Sequence, residues 1–510
     1  MATLNRADTT TTTANGGSGT TPAASVAIAM PSLPHPPLDA DEFRRQGRLV
    51  VDFIADYYTR IDEYPVRPDV APGFLARQLP EAAPARPEPD ALAAALRDVR
   101  DLILPGVTHW QSPRHFAHFA ATASNVGALG EALAAGLNVN PFTWAASPAA
   151  TELEVVVTDW LGKALHLPES LLFSGGGGGT LLGTSCEAML CTIVAARDRK
   201  LAEVGNERMG NLAVYGSDQT HFSFQKAARI AGIRRGNYLP GNDRGDHPDG
   251  GGRPSLRALR HAVAGAEAAD SFSTNPHKWL LANMDCCALW VRRPAALTAA
   301  LGTDHDVILK DPSAAQAQAQ QGGAVVDYKD WQVALSRRFR ALKLWFVLRC
   351  HGVEGLRGLV RAHVCMAAAF EAMVRADAPF EVPVPRQFAL VCFRLRAAAA
   401  VVVGEKRARD GDEVAAAGNE LNRRLLEAVN ATGRVYMSSA VVGGVYILRC
   451  AIGNSLTEER HVREAWSVVQ EQATAILAAA TPTRSNGRTV RRARCDAETD
   501  VPTAQPLSLG

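Results

Sequence analysis

Residues 171–200 read LLFSGGGGGTLLGTSCEAMLCTIVAARDRK. Leu171, Leu172 and Phe173 look like the start of a strand, Gly175 to Gly179 form a glycine loop, and Leu190, Ile193 and Val194 recur at helical spacing. Strand, glycine loop and helix together make a phosphate cup. Glycine lets the backbone approach an anion, and the helix N-terminus adds amide donors and its dipole. A nucleotide P-loop is excluded: Gly178 and Gly183 have the spacing, but Thr184 stands where the phosphate-binding lysine must be. A dinucleotide fingerprint is matched only loosely, because five consecutive glycines fit almost any such pattern. A flexible linker is disfavoured by the strand before the glycines and the helix after them. The expectation is a cup with amide and hydroxyl donors and no lysine.

Outward from this stretch the same alternation continues. Residues 211–233, NLAVYGSDQTHFSFQKAARIAGI, predict a strand, a turn and a helix, and CCALWV at 286–291 predicts an apolar strand. Strands alternating with helices from about 120 to 300 imply an α/β domain with a mostly parallel sheet, whose ligands sit at the carboxyl ends of the strands. His221 should lie on that edge, where a lone histidine is more often a hydrogen-bonder than a catalyst. In SFSTNPHKWLLANMDCC (271–287), Lys278 sits between His277 and Trp279 ahead of an apolar run broken only by Asn283 and Asp285. Burial would lower its pKa and make it a nucleophile able to form Schiff bases; a snorkelling lysine at the end of a core segment is the alternative.

The flanks are of other kinds. PLDADEFRRQGRLVVDFIADYYTRI (37–61) predicts an amphipathic helix with an acidic first turn, in an arm whose apolar stripe a second subunit could bury. After the helix expected in RRFRALKLWFVLRCHG, the segments FEVPVP, FALVCFRL and VVGGVYILRCAI predict strands. Helices are expected at 413–430 and 457–477, the last opened by a Ser455–Glu458 capping box, giving a small antiparallel α+β domain. The domain expectation is a disordered arm over 1–37, a helical dimerisation segment over 38–119, the α/β domain over 120–349, the α+β domain over 350–480 and a solvated tail over 481–510.

Bulk properties narrow the function. The 510 residues need neither disulfides nor metal to hold a core, and a formal net charge of +2 argues against nucleic-acid binding. Nine scattered cysteines read as reduced thiols of a cytoplasmic protein, and no apolar run is long enough to span a bilayer. His109, His115 and His118 cluster without acidic or cysteine partners, so they are expected as pocket wall or surface rather than metal ligands. The missing Gly-x-Ser-x-Gly elbow weakens a hydrolase reading.

A lysine, a phosphate cup and an imidazole on one sheet edge suit pyridoxal phosphate. The stretches GVTHWQSP, SPAATELEVVVTDWLG, GTSCEAML, SDQTHFSFQKAARIAGI, NPHKWLL, VVDYKDWQVALSRRFRALKLW and PRQFALVCFRL, spread over about residues 37–475, resemble the plant aromatic L-amino acid decarboxylases, the tyrosine/DOPA branch above all. The resemblance implies a fold-type-I pyridoxal-phosphate enzyme, a homodimer that decarboxylates aromatic amino acids. It implies Lys278 as the Schiff-base lysine and His221 stacked on the pyridine ring. Ser185, Cys186, Asn275 and His277 would surround the phosphate, and Trp110 and Phe119 the substrate. Tyr328 would be a mobile-loop proton donor reaching the partner's site. Tryptophan decarboxylase and aromatic aldehyde synthase are alternatives within the same likeness.

One departure stands out. The family carries an aspartate on a strand upstream of the lysine that keeps the pyridine nitrogen protonated. Here RHAVAGA passes directly to EAADSFSTNPHKW, near 266–267, without that strand or the one before it. Asp243, Asp246 and Asp249 lie in a glycine-rich loop, and Asp270 is the residue the family itself has before the lysine. His118 and Ala120 replace a pocket tyrosine and proline. The expectation is a shortened sheet and little activity, the alternative being an inactive relative that serves as a partner subunit.

Overall fold

The computed structural model describes residues 37–86, 88–119, 121–217, 220–241, 265–302, 325–396 and 411–479. The expected arm, tail and aspartate-bearing loop at 243–249 lie outside these, as does Ala120.

Helix α1 (Ala40–Thr59) starts where the Asp39 carboxylate accepts the amides of Asp41 and Glu42, and Asp41 and Glu42 supply the expected acidic first turn. None of its residues is buried. Helix α2 (Ala91–Asp98) follows, then α3 (Asn125–Leu137), capped by Ser124, and α4 (Pro148–Ala164).

Strand β1 is Gly178–Leu182, one element later than the sequence suggested; Glu169–Leu171 and Phe173–Gly175 are 3-10 turns. The glycines are needed for packing. A Cβ on Gly179 would stand 2.7 Å from Thr158 Cβ, and one on Gly178 the same distance from the Trp331 ring. Gly179 lets β1 lie against α4, and the turn Gly183–Thr184–Ser185 stands at the other end of the strand. Helix α5 (Ser185–Val204) starts there. The Thr184 hydroxyl accepts the Glu187 amide, and Glu187 accepts the Gly183 amide.

Strand β2 (Val214–Ser217), α6 (Ser223–Ile230) and β3 (Tyr238–Gly241) follow, then β4 (Ser271–Thr274), the single-turn α7 (Pro276–Trp279), β5 (Cys287–Val291) and α8 (Pro294–Leu301). The α/β strands form two sheets. In one, β5 lies between β1 and β4 and runs antiparallel to both; in the other, β2 and β3 pair in parallel. Of the mostly parallel sheet expected, β2 pairs with β3 in parallel, and β1 and β4 share a direction but are separated by the antiparallel β5. Every residue of β1 and β5 is buried, as the apolar run of β5 requires, and Thr180, the one polar residue of β1, is satisfied by Glu154. The outer edge of β4 has no ladder partner among the described residues. Tyr215, Phe222 and Ile230, around the smaller sheet, are 71%, 73% and 61% exposed.

Helix α9 (Arg340–Ala376), kinked at Gly352 with φ +64°, joins the two halves. A four-stranded antiparallel sheet follows, ordered β6 (Phe380–Glu381), β7 (Leu390–Leu395), β9 (Val445–Ala451), β8 (Ser438–Val442), with α10 (Gly411–Ala431) and α11 (Glu459–Ala479). Its core is aromatic: Phe370, Phe380 and Phe393 all contact Trp466, the closest pair with ring centres 4.8 Å apart. The capping box at α11 does not form. Ser455 instead accepts the Ala123 amide and donates to its carbonyl, while the Glu458 amide donates to His461 Nδ1.

Candidate active site

The lysine-bearing segment shows why its polar residues interrupt an apolar run. Asn283 Oδ1 accepts the Ser124 amide, and the Ser124 hydroxyl donates to the Leu281 carbonyl, fastening the loop to the start of α3. Asp285 takes both arms of Arg340 at 3.0 and 3.1 Å, and Lys343, fully buried, reaches the Asp285 carbonyl and Glu131. Burial opposes ionisation of Asp285, yet the Arg340 hydrogen bonds and charge hold its carboxyl below the usual range. Pro276 and His277 turn inward. The His277 Nδ1 accepts the Cys286 amide at 3.0 Å, and burial lowers the ring's pKa.

Lys278 itself is exposed, which corrects the expectation of burial. Its neighbours are the buried anchors, and its own side chain is left facing a cavity of about 400 Å³. Ser185 and Asn275 share that cavity, joined by a 2.6 Å hydrogen bond, with Met189, Ser273, Thr274, Trp279 and Phe119. The opposite wall comes from the small domain: Gln387, Phe388 and Ala389 before β7, and Ala451, Ile452 and Gly453 at the end of β9. Gln387, Phe388 and Ala389 fall within the PRQFALVCFRL stretch, although no site role was expected of them; Ala451, Ile452 and Gly453 carry no motif. Only the topology, which brings the end of β9 over the lysine turn, could have found them.

The remaining expected residues divide. Cys186 is exposed beside Ser185 on the first turn of α5. His221 is exposed and outside the cavity lining; its Nδ1 lies 2.7 Å from the Ser223 hydroxyl, which in turn touches Met189 of the cavity. Trp110 is 41% exposed and outside the cavity lining; its carbonyl accepts the side-chain amide of Asn454, the residue after Gly453 of the lining. His109 and His115 are buried rather than at the surface, and the Tyr57 hydroxyl lies 2.9 Å from His109 Nδ1. The His118 ring stacks on Trp110.

Tyr328 requires a correction. It is fully buried, lies under the Arg337 guanidinium at 4.4 Å, and donates to the Gly179 carbonyl at 3.2 Å. Burial raises its pKa well above the ordinary value. Nearby, Arg337 and Glu154 form a buried pair at 2.6 Å, with Leu181 and Thr180 donating to the same carboxylate. Tyr328 is therefore a core residue between β1 and this pair, not a side chain on a mobile loop.

The donor set fits pyridoxal phosphate at one end. One amine faces the cavity, with a hydroxyl and a carboxamide beside it at a helix N-terminus, and the buried Asn275 Oδ1 has no hydrogen-bond partner. Turning that amide over would let it accept from Ser185 and free its N–H groups for an anion. At the other end the described lining residues include no carboxylate.

Residues 72–248 and 250–396 match the pyridoxal-dependent decarboxylase conserved domain. The chain belongs to the pyridoxal-dependent decarboxylases. It is 60% identical to a tyrosine decarboxylase of Oryza sativa subsp. japonica, over 86% of this chain and 92% of that protein. It is 47% identical to a phenylacetaldehyde synthase of a Rosa hybrid cultivar, over 86% and 95%. Among solved structures, the Catharanthus roseus tryptophan decarboxylase in complex with L-tryptophan superposes with a TM-score of 0.75 at 40% identity, covering 87% of this chain and all of that one. The decarboxylase likeness thus spans both domains, and the fold is of type I.

Proposed function

We propose that this chain decarboxylates aromatic L-amino acids, tyrosine and DOPA foremost, to tyramine and dopamine with pyridoxal phosphate. The observation that carries this reading is the cavity in which Lys278, Ser185 and Asn275 meet beneath an apolar wall. Lys278 holds the aldehyde end. Ser185, Asn275 and the first-turn amides of α5, Cys186 among them, hold the phosphate, with His277 fixing the turn behind them. When bound, pyridoxal phosphate supplies the conjugated ring that accepts the electrons left by departing carbon dioxide. Phe119, Trp279, Phe388 and Ile452 give the aromatic side chain an apolar lodging and limit water around the carboxylate. Lys278 is the one titratable side chain among the described lining residues, so proton handling there falls to it. His221 at the cavity rim is the candidate ring-stacking group, and Trp110 an outer wall.

The same cavity supports slow turnover. With no carboxylate among the described lining residues to face the pyridine nitrogen, the ring is a weaker electron acceptor, and about 1.4 kcal/mol of lost stabilisation costs tenfold in rate. The alignment with the rice relative points the same way. It runs over 506 positions but takes in 86% of the 510 residues, about 439, leaving about 67 positions of the relative without a counterpart. Assay of the purified protein for tyramine, dopamine, tryptamine and aldehyde tests both parts, beside a chain with a relative's strands inserted after Ala266. The expected result is slow amine release that the insertion speeds. Robust turnover by the unaltered chain would overturn the slow-catalyst part, and none from either chain would overturn the activity.

A second copy of the chain is the proposed partner. Leu129, Leu133 and Leu137 form an exposed stripe on α3, and α1 exposes Phe43, Val51 and Ile54. Such stripes are costly in a monomer. The free cysteines suit a cytoplasmic location.

A further inference from the structure

The indole that walls the cavity is held from behind. Trp279 Nε1 lies 2.9 Å from His363 Nδ1, and His363 Nε2 lies 3.1 Å from the Asn454 carbonyl. Asn454 donates its side-chain amide to the Trp110 carbonyl at 2.7 Å, and its Oδ1 accepts the Leu456 amide. His363 and Asn454 are 1% and 0% exposed.

An indole nitrogen can only donate, so His363 Nδ1 must accept. The ring's proton then sits on Nε2 and goes to the Asn454 carbonyl. One tautomer satisfies both contacts, and a second proton on Nδ1 would face the indole N–H and break the first. The chain of bonds joins three segments distant in sequence: the turn carrying Lys278, the helix α9, and the loop leaving β9. Gly453 of that loop and Trp279 both line the cavity.

We infer that His363 is a positioning residue: by accepting from Trp279 and donating to Asn454, it fixes the indole beside Lys278 and clamps the small domain over the cofactor cavity. This rests on reading the cavity as the pyridoxal phosphate site. His363 touches neither cofactor nor substrate and acts only through Trp279. Any neutral side chain that offers an acceptor at the Nδ1 position should keep the indole in place; an apolar one should release it.

The test uses the full chain with His363→Asn, His363→Leu, Trp279→Phe and the double variant His363→Leu/Trp279→Phe. Cofactor-free, the indole N–H resonance absent from Trp279→Phe should move in His363→Leu and stay near its wild-type position in His363→Asn. With pyridoxal phosphate added, His363→Leu and Trp279→Phe should each weaken binding about tenfold, the scale of one buried hydrogen bond with its orphaned partner. Both should reduce the visible circular dichroism of the bound cofactor, and the double variant should be no worse than either single one, as for residues acting through one contact. His363→Asn should restore binding and dichroism. The inference is overturned if His363→Leu binds like wild type, if His363→Asn is as impaired as His363→Leu, or if the two losses add. Should His363→Leu not fold, Trp279→Phe decides: unchanged cofactor dichroism overturns the inference. A wild type that takes up no cofactor sinks the functional reading and the clamp's purpose with it; a wild type that binds beside an unaffected His363→Leu sinks the clamp alone.

Discussion

The Asn275 carboxamide and the Ser185 hydroxyl meet at 2.6 Å although 90 residues separate them in sequence. Strand β4 delivers one and the turn after β1 delivers the other, so the contact exists only when both strands have paired with β5. If this pair grips the phosphate, Asn275→Ala and Ser185→Ala should weaken pyridoxal phosphate about tenfold and leave pyridoxal, which lacks the phosphate, nearly unaffected. Paired titrations of the two ligands check this. Equal losses for both ligands would assign the residues to general packing.

Lys278 should carry the label when cofactor-loaded protein is reduced with borohydride. Peptide mapping is expected to find the pyridoxyl group on the peptide spanning Pro276 to Trp279 and to find none in Lys278→Ala. Label on Lys343 is not expected, because that amine is buried against Glu131 and the Asp285 carbonyl.

Tyr328→Phe should be a stability change and nothing more. Removing the bond to the Gly179 carbonyl is expected to cost roughly 1 kcal/mol, read as a shift in denaturant midpoint. The ratio of amine to aldehyde product should not move. A change in that ratio would return Tyr328 to the chemistry.

Acid should destabilise the fold through two buried imidazoles. Burial lowers the pKa of His363 and of His115 from 6.5 to about 4, and both His115 nitrogens lack partners. Unfolded, these rings take a proton near 6.5; folded, not until about 4. Their contribution is therefore whole above about pH 6.5 and is lost as pH falls toward 4, at up to about 1.4 kcal/mol per pH unit for each ring. Denaturant midpoints across this range check the slope, and His115→Phe should flatten it.

Much of this was readable from local pattern. The alternation of helix and strand, the two C-terminal helices and the acidic start of α1 are short-range signals, and the structure keeps them. What misled was a pattern with two uses. The glycines at 175–179 read as a phosphate cup, but Gly175, Gly177, Gly178 and Gly179 serve close packing against the 169–171 turn, Trp331 and α4, since sequence does not say which end of a strand a glycine run adjoins. Lys278 in apolar company read as buried, when its neighbours do the burying. Tyr328 carried a motif whose environment depends on Gly179, 149 residues away, and on how the chain folds Arg337 of the same stretch back over it. Phe388 lay in the quoted PRQFALVCFRL stretch, but that it meets Ile452 as a rear wall was invisible, since tertiary contact between domains leaves no periodicity.

The open side of β4 has a consequence for how firmly Lys278 is mounted. Strand β4 runs into the lysine turn within two residues, and among the described residues its ladder is made to β5 alone. Amides pointing away from β5 should exchange with deuterium in the time of local fraying, while those of β5, hydrogen-bonded on both flanks, should persist until the whole sheet opens. An unsatisfied strand edge is also a template for another chain. Crowding and prolonged storage should then draw molecules together along this edge, and a lysine or proline placed on the solvent side of β4 should keep them apart.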